Sequence, residues 1–319
     1  MNDHSSHPVD LREFNASLQR VYDTTPKTQT GIQGPGSISW KIGKEWMLFA
    51  GGGAASLLQL AHPYVAYGVD EHSATRTDPI GRFNRTFQNV HAMLFGDLGK
   101  AMDSARRVRR LHDQVIGTIE HDVGRFKKGD AYDAADAGAL LWVHATLIHG
   151  AVTVYELAIG PLSLAEKDQY WEESKNFARL FGVPDEIIPP NWTEFLKYWD
   201  EMINSDTIAV SKPAREIARF LLAQGLSRPT PATYLLQVLT AGLLPERLRK
   251  EYNLSFNARD RVVFHSFWKV VRPVYSNLPE RLRVLPAYVE AMNRVHGNER
   301  PDRVGRAVMQ FMLKNITPG

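Results

Sequence analysis

Apolar residues recur every three to four positions along most of the chain, which is the spacing of one face of an α-helix. No segment shows a sustained alternation of β-branched and polar residues, the pattern of a half-buried strand. The sequence therefore predicts an all-α fold. Glycines and prolines divide the pattern into predicted helices at about residues 39–50, 57–65, 79–95, 97–124, 134–159, 163–182, 192–204, 213–223, 230–243, 245–252, 259–275, 279–295 and 301–314.

Two of these helices carry clear start signals. Asp78 followed by Pro79 places an N-cap side chain ahead of a proline in the first turn. Ser163 and Glu166 have the spacing of a capping box. Residues 1–36 are polar and rich in threonine, glutamine, glycine and proline, which predicts a flexible N-terminal arm ahead of one large domain at 37–319.

The segment 137–155 resembles a membrane span because it contains no charged residue. It also contains His144, Thr146, His149 and Thr153, whose polar groups would lack partners in hydrocarbon. We therefore predict a buried helix and no stable membrane span. The first residues show neither a basic region nor an apolar one of signal-peptide type, so we expect a cytoplasmic chain, with a peripheral association with membrane left open.

The composition excludes several kinds of functional site. The chain has no cysteine, which excludes disulfides, zinc–thiolate sites, iron–sulfur clusters and cysteine nucleophiles. Its 38 basic and 35 acidic residues give a formal charge of +3, so nucleic acid is not an expected partner. A metal would have to be held by histidine, carboxylate, lysine or tyrosine, or by a cofactor.

Common enzyme motifs do not account for the chain. The glycines 51–53 resemble a dinucleotide-binding turn, but the flanking sequence predicts no parallel sheet around them. The sequence contains no Glu-x-x-His pair of a di-iron bundle, no His-Glu-x-x-His zinc motif and no Gly-x-Ser-x-Gly elbow.

Two histidines stand at positions where a polar side chain is costly. In the predicted helix 97–124, His112 continues the apolar stripe of Ala105, Val108 and Val115, so its imidazole is expected to point inward. His144 lies in the same way within the apolar helix 134–159. Each is either a core histidine with satisfied nitrogens or an axial ligand to haem iron, and spacing alone leaves both interpretations open.

The predicted helix 79–95 pairs an aromatic stripe with basic residues. Arg82, Arg85 and Thr86 lie beside that stripe, where they could clamp haem propionates or line a polar pocket. An ordinary solvated face has the same composition. Upstream, His62 and His72 lie near the end of an apolar helix, and each is weak evidence by itself.

Taken in order, these motifs resemble the MpaB-like and rubber-oxygenase family, whose polyisoprene-cleaving branch is the latex clearing protein. The resemblance covers roughly residues 40 to 290. It rests on Leu57-Leu-Gln-Leu-Ala-His62-Pro with Gly68 and His72-Ser73, on Arg82-Phe-Asn-Arg85-Thr86, on Arg109-Arg-Leu-His112-Asp-Gln-Val115, on Leu141-Trp-Val-His144-Ala-Thr-Leu147, and on 155–163, 181–184 and 240–245.

The resemblance implies an all-α fold around a b-type haem and the use of dioxygen to cleave a carbon–carbon double bond in an isoprenoid chain. It implies His112 as the proximal iron ligand, and Arg82, Arg85 and Thr86 as residues of the distal side. Arg85 stands where the rubber-cleaving branch has lysine, and a guanidinium stays protonated and cannot coordinate iron. The sixth position would then fall to water, His62 or His144.

That branch also has a functional glutamate upstream of the arginine motif, for which Glu71 is the nearest counterpart. The sequence thus predicts a haem-b oxygenase that acts on an apolar, isoprenoid or prenylated substrate by cleavage or hydroxylation. A helical lipid or isoprenoid carrier without redox chemistry is the alternative. The sequence identifies no electron donor.

Overall fold

The computed structural model describes residues 7–25, 28–73, 79–222, 230–298 and 300–316, and for residues 28, 79–84 and 310–316 it describes the backbone alone. Helices dominate the described part of the chain, as predicted. They are α1 (Leu11–Thr24), α2 (Ile38–Gly43), α3 (Gly52–Leu60), α4 (Pro63–His72), α5 (Pro79–Phe95), α6 (Leu98–His112), α7 (Ala137–Ala158), α8 (Leu164–Leu180), α9 (Trp192–Asn204), α10 (Lys212–Leu221), α11 (Pro231–Leu243), α12 (Glu246–Glu251), α13 (Ala258–Ser276), α14 (Pro286–Val295) and α15 (Arg303–Ile316).

Helix α7 is the buried centre of the fold. Thirteen of its side chains are buried, and the Trp142 indole donates a hydrogen bond of 2.8 Å to the Leu58 carbonyl of α3. Its threonines use carbonyls of the same helix, as when the Thr146 hydroxyl donates to Val143 O at 2.7 Å. Within the described residues, α7 is the one helix long and apolar enough to cross a membrane, and most of its apolar window lies inside the protein.

Glycine lets α3 and α11 pack closely. A Cβ atom at Gly53 would overlap the side chain of Thr240 on α11. At the glycines 51–53, a 3₁₀ helix at Trp46–Gly51 leads directly into α3.

The helix predicted at residues 97–124 is wrong in its second half. The helix that opens after Asp97 ends at His112, and residues 116–118 pair with 131–133 in a short antiparallel hairpin, β1 (Ile116–Thr118) and β2 (Ala131–Asp133). The run Val115-Ile-Gly-Thr-Ile119 explains the change, because β-branched residues favour extended backbone and glycine weakens a helix. His112 is therefore the last residue of its helix, and not the centre of a longer stripe.

The N-terminal segment also differs from the flexible arm predicted for residues 1–36. Asp10 and Glu13 form a capping box that starts α1, and Phe14, Leu18 and Val21 are buried along one face of that helix. The helix packs against α8.

Several predicted helix starts are confirmed, and one is corrected. The Ser163–Glu166 capping box opens α8, as expected. The predicted helix 279–295 is interrupted, with a 3₁₀ turn at Glu280–Leu282 before α14 begins at Pro286. The predicted N-cap at Asp78 lies outside the described residues.

Candidate functional site

Helices α5 and α6 form a hairpin around a turn at Gly96. The Asn89 side-chain oxygen of α5 accepts hydrogen bonds from the Ser104 hydroxyl (3.0 Å) and from Arg107 Nη1 (3.2 Å) of α6. Because the helices run in opposite directions from one turn, the first half of α5 lies beside the last half of α6. The Arg82-x-x-Arg85-Thr86 motif and His112 therefore lie at the same end of the hairpin.

The two motifs do not share a face of that hairpin. Arg85 and Thr86 are exposed, and the side chain of Arg82 lies outside the described part of the structure. His112 instead adjoins a crevice whose walls come from α1, α7 and α8 as well as α6.

The crevice beside His112 is narrow and mainly apolar. The crevice is too narrow to admit a water molecule. Besides His112 and Arg109, its walls are Phe14, Ala105, Val108, Ala135, Leu140, Leu180 and Phe181. Burial is the main cause that lowers the pKa of His112 to about 4, and the nearby Arg109 charge lowers it further. The imidazole is therefore neutral at pH 7, the form that can coordinate a metal.

Arg109 gives the crevice an unsatisfied donor. Its Nε donates to Asp113 Oδ1 at 2.7 Å, and its guanidinium lies 5.5 Å from the centre of the Phe14 ring. Its Nη1 is buried and has no hydrogen-bond partner in the described structure. A buried donor without an acceptor costs about 1–3 kcal/mol, so an anionic ligand group at Nη1 would be favoured.

The N-terminal segment covers this crevice. Phe14 of α1 forms part of its wall, and the chain just before α1 is fixed to the start of α7. The Val9 amide donates to Ala135 O at 2.9 Å, and the Ala137 amide donates to His7 O at 3.0 Å. These contacts hold the segment that carries Phe14 against the crevice.

His144 occupies a different and tightly packed position. Its ring lies between Trp171 and Phe177 of α8, with centroid distances of 5.5 and 6.1 Å. Nε2 is 3.3 Å from the Ser174 hydroxyl, whereas Nδ1 is buried without a partner. Burial lowers the pKa of His144 to about 3, so this imidazole is also neutral.

His62 acts as the N-cap of α4. Its Nδ1 accepts a hydrogen bond of 3.3 Å from the Tyr64 amide, and its ring packs against Tyr64 and Phe126. Burial, with a smaller effect of the Arg125 charge, lowers its pKa to about 3. His62, His112 and His144 thus lie in three separate surroundings.

Glu71 and His72, at the end of α4, contact the β-hairpin. The Tyr132 hydroxyl donates to Glu71 Oε2 at 2.8 Å, and the His72 Nε2 atom is 3.2 Å from Ile116 O. These contacts tie α4 to the hairpin that follows His112, which gives Glu71 a structural role in the described fold.

The sequence assigned no site role to three further residues of interest. Besides Arg109, His91 packs between Phe87 and Phe95 on α5, and burial lowers its pKa to about 4. His149 stacks on Trp199 at 3.9 Å with nearly parallel rings. The spacing of His91, four residues from each phenylalanine, was a signal available in the sequence.

Within the described residues, no three histidine or carboxylate side chains gather to hold a metal ion. The donor set at His112 is instead a single neutral imidazole in an apolar wall. That set suits a metal whose other ligands come from a cofactor, as in haem.

Because His144 is buried in its neutral form, the free energy of unfolding depends on pH. The pKa of His144 falls from its ordinary 6.5 to about 3 in the fold, so below pH 6.5 the unfolded chain binds a proton that the folded chain does not. The contribution of neutral His144 to the free energy of unfolding is complete above pH 6.5. Below pH 6.5 it decreases by about 1.4 kcal/mol per pH unit, which is a loss of about 2 kcal/mol at pH 5.

Urea unfolding at pH 7 and pH 5 tests this prediction. Between pH 7 and pH 5, the wild-type protein should lose about 2 kcal/mol more unfolding free energy than His144→Gln. An identical pH dependence of the two proteins would show that His144 is not buried in its neutral form.

Comparison with known proteins defines the class. A family profile described as "ER-bound oxygenase mpaB/B'/Rubber oxygenase, catalytic domain" matches residues 40–273, which include most of α2, all of α3 to α12 and most of α13. The match identifies an oxygenase catalytic domain, and hence an oxidoreductase. Since it covers well over half of the chain, the protein belongs to the MpaB and rubber-oxygenase family, as its motifs predicted.

Two similar proteins are uncharacterized, one from Mycobacterium bovis (strain ATCC BAA-935 / AF2122/97) and one from Mycobacterium tuberculosis (strain ATCC 25618 / H37Rv). Each is 27% identical over 241 residues, 69% of this chain and 91% of the relative. No solved structure gives a significant match.

Proposed function

We propose that this oxygenase domain binds a b-type haem through His112 and uses dioxygen to oxidise a carbon–carbon double bond in an apolar, isoprenoid-like substrate. One observation carries the proposal. Within the matched residues 40–273, His112 presents a neutral imidazole in an apolar crevice, at the same end of the α5–α6 hairpin as the Arg82-x-x-Arg85-Thr86 motif.

The residues around His112 fit a haem in their chemistry. The neutral imidazole supplies the ligand, the apolar wall suits the macrocycle, and Arg109 Nη1 lacks the acceptor that a propionate carboxylate would provide. The crevice admits no water molecule, whereas ordinary ligand pockets hold roughly 300–1,000 Å³, so its wall would have to open before a haem could enter. Phe14 of α1 belongs to that wall and lies outside the matched residues 40–273.

When bound, haem supplies the redox chemistry of dioxygen. The protein's own groups would then bind and orient. His112 would hold the haem through its neutral imidazole, Arg109 would pair with a propionate, and Arg82 and Arg85 would supply positive charge at the same end of the hairpin. Thr86 adds a hydroxyl at the same end of the hairpin. Leu140, Leu180 and the other apolar residues of the wall exclude water.

The proposal gives the remaining histidines structural roles. His62 Nδ1 is used by the cap of α4, and the ring of His144 is enclosed by Trp171 and Phe177. Arg85 would act as a hydrogen-bond donor, because a guanidinium does not coordinate iron.

An oxygen-labelling assay tests the function. The haem-loaded protein is incubated with isoprenoid alkenes of increasing length under ¹⁸O₂, and carbonyl or hydroxyl products are measured by mass spectrometry. We expect ¹⁸O in the product and none under argon. Arg85→Gln should lower the rate by about tenfold or more if Arg85 stabilises developing charge, whereas Arg106→Gln on the exposed side of α6 should not. Tight alkene binding without oxygen incorporation would instead support a carrier.

A further inference from the structure

Helix α13 carries an unusual outer face. Its inner side is buried through Phe264, Trp268 and Tyr275, which pack in a core formed with α7 and α11. On the opposite side, Val262, Val270 and Val274 have exposed fractions of 66%, 63% and 58%. A single exposed valine is unremarkable, but Val270 and Val274 are adjacent on this face at a spacing of four residues, and Val262 lies about two turns before Val270.

Basic residues border these valines. At 3.6 residues per turn, His265, Lys269 and Arg272 project along one edge of the outer face, and the three valines project along the neighbouring edge. All three basic residues are exposed. In the described part of the structure, neither Lys269 nor Arg272 has a carboxylate partner within ion-pair distance.

The face contains no negative charge of its own. The one acidic residue of α13 is Asp260, which is buried and accepts hydrogen bonds from the Tyr234 hydroxyl (2.7 Å) and the Asn257 amide (2.9 Å). An exposed valine edge beside unpaired cations is complementary to a surface that is apolar within and anionic outside. A bilayer with anionic headgroups has that composition.

We infer that the outer face of α13 is a docking surface for anionic lipid bilayers, with Val262, Val270 and Val274 at the acyl boundary and Lys269 and Arg272 at the phosphates. This inference is independent of haem and of oxygenase activity. Docking would place the protein at a lipid bilayer, in which apolar substrates dissolve.

Vesicle co-sedimentation of the full chain tests the inference. We expect binding to vesicles of phosphatidylcholine and phosphatidylglycerol in equal amounts, weak binding to phosphatidylcholine alone, and release at high salt. Each basic residue at an anionic surface contributes roughly fivefold in partition, so Lys269→Gln/Arg272→Gln should weaken binding by about 25-fold. Val262→Asn/Val270→Asn should also weaken it.

The matched control is Lys197→Gln/Lys212→Gln, which removes the same charge from exposed positions on α9 and α10. Circular dichroism checks that all variants fold, and sedimentation velocity follows self-association. Equal loss of binding in the control, no binding to anionic vesicles, or a dimer that dissociates only in the valine variant would each overturn the inference. The last outcome would assign the face to a second copy of the chain.

Discussion

Replacing Trp142 by alanine is expected to lower the free energy of unfolding by about 3–5 kcal/mol, the usual cost of removing a large aromatic side chain from a core. Trp142 is fully buried in the middle of α7 and packs its ring on Trp199 of α9 at 5.2 Å. Its indole also satisfies the Leu58 carbonyl of α3 at 2.8 Å. The substitution therefore removes packing between three helices and a hydrogen bond together. Urea unfolding followed by circular dichroism measures the change.

Trp142→Phe is the control that separates the two causes. Phenylalanine keeps most of the packing with Trp199 but leaves the Leu58 carbonyl without its donor, so a loss of about 1–3 kcal/mol is expected. If Trp142→Ala lowers the free energy of unfolding by less than Trp142→Phe does, α7 is not the packed centre of the fold.

The sequence predicted α7 and α8 well because local signals and burial agree there. Thirteen residues of α7 are buried, so most of its apolar side chains pack inside the protein, as the sequence pattern indicates. The capping box of α8 is a short-range interaction that depends only on Ser163 and Glu166. Such signals need no knowledge of the tertiary structure.

The end of α6 could not be read from the same periodicity. Val115 and Ile119 fit the helical stripe of His112, but they also fit an extended chain that pairs with residues 131–133. The competing partner is a strand more than ten residues away, and helical spacing carries no information about it. The consequence for the site is direct, since it places His112 at a helix terminus.

The crevice itself was beyond sequence analysis for a related reason. Its wall combines Phe14, His112, Leu140 and Phe181, which are far apart in the sequence and converge only by packing. Arg109 was given no role of its own, because helical position does not reveal that its Nη1 is buried. The polar composition of residues 1–36 likewise concealed the buried stripe of α1.

The second large effect is expected at His112. His112→Ala should remove at least nine-tenths of haem binding, because no other described imidazole combines a neutral ring with the crevice and the arginine motif. His144→Ala should retain the haem, since that ring is enclosed by Trp171 and Phe177. Added imidazole should restore part of the signal in the His112→Gly variant, a result that loss of folding would not produce.

The absorption spectrum of the purified protein titrated with haem is the most direct test of the central claim, that His112 is the iron ligand of this oxygenase. We expect an intense Soret band in the wild-type protein and in His144→Ala. The band should be lost in His112→Ala and should return with imidazole in His112→Gly. A band that persists in His112→Ala and disappears in His144→Ala would contradict the ligand assignment, and a wild-type protein that takes up no haem would contradict the proposed cofactor.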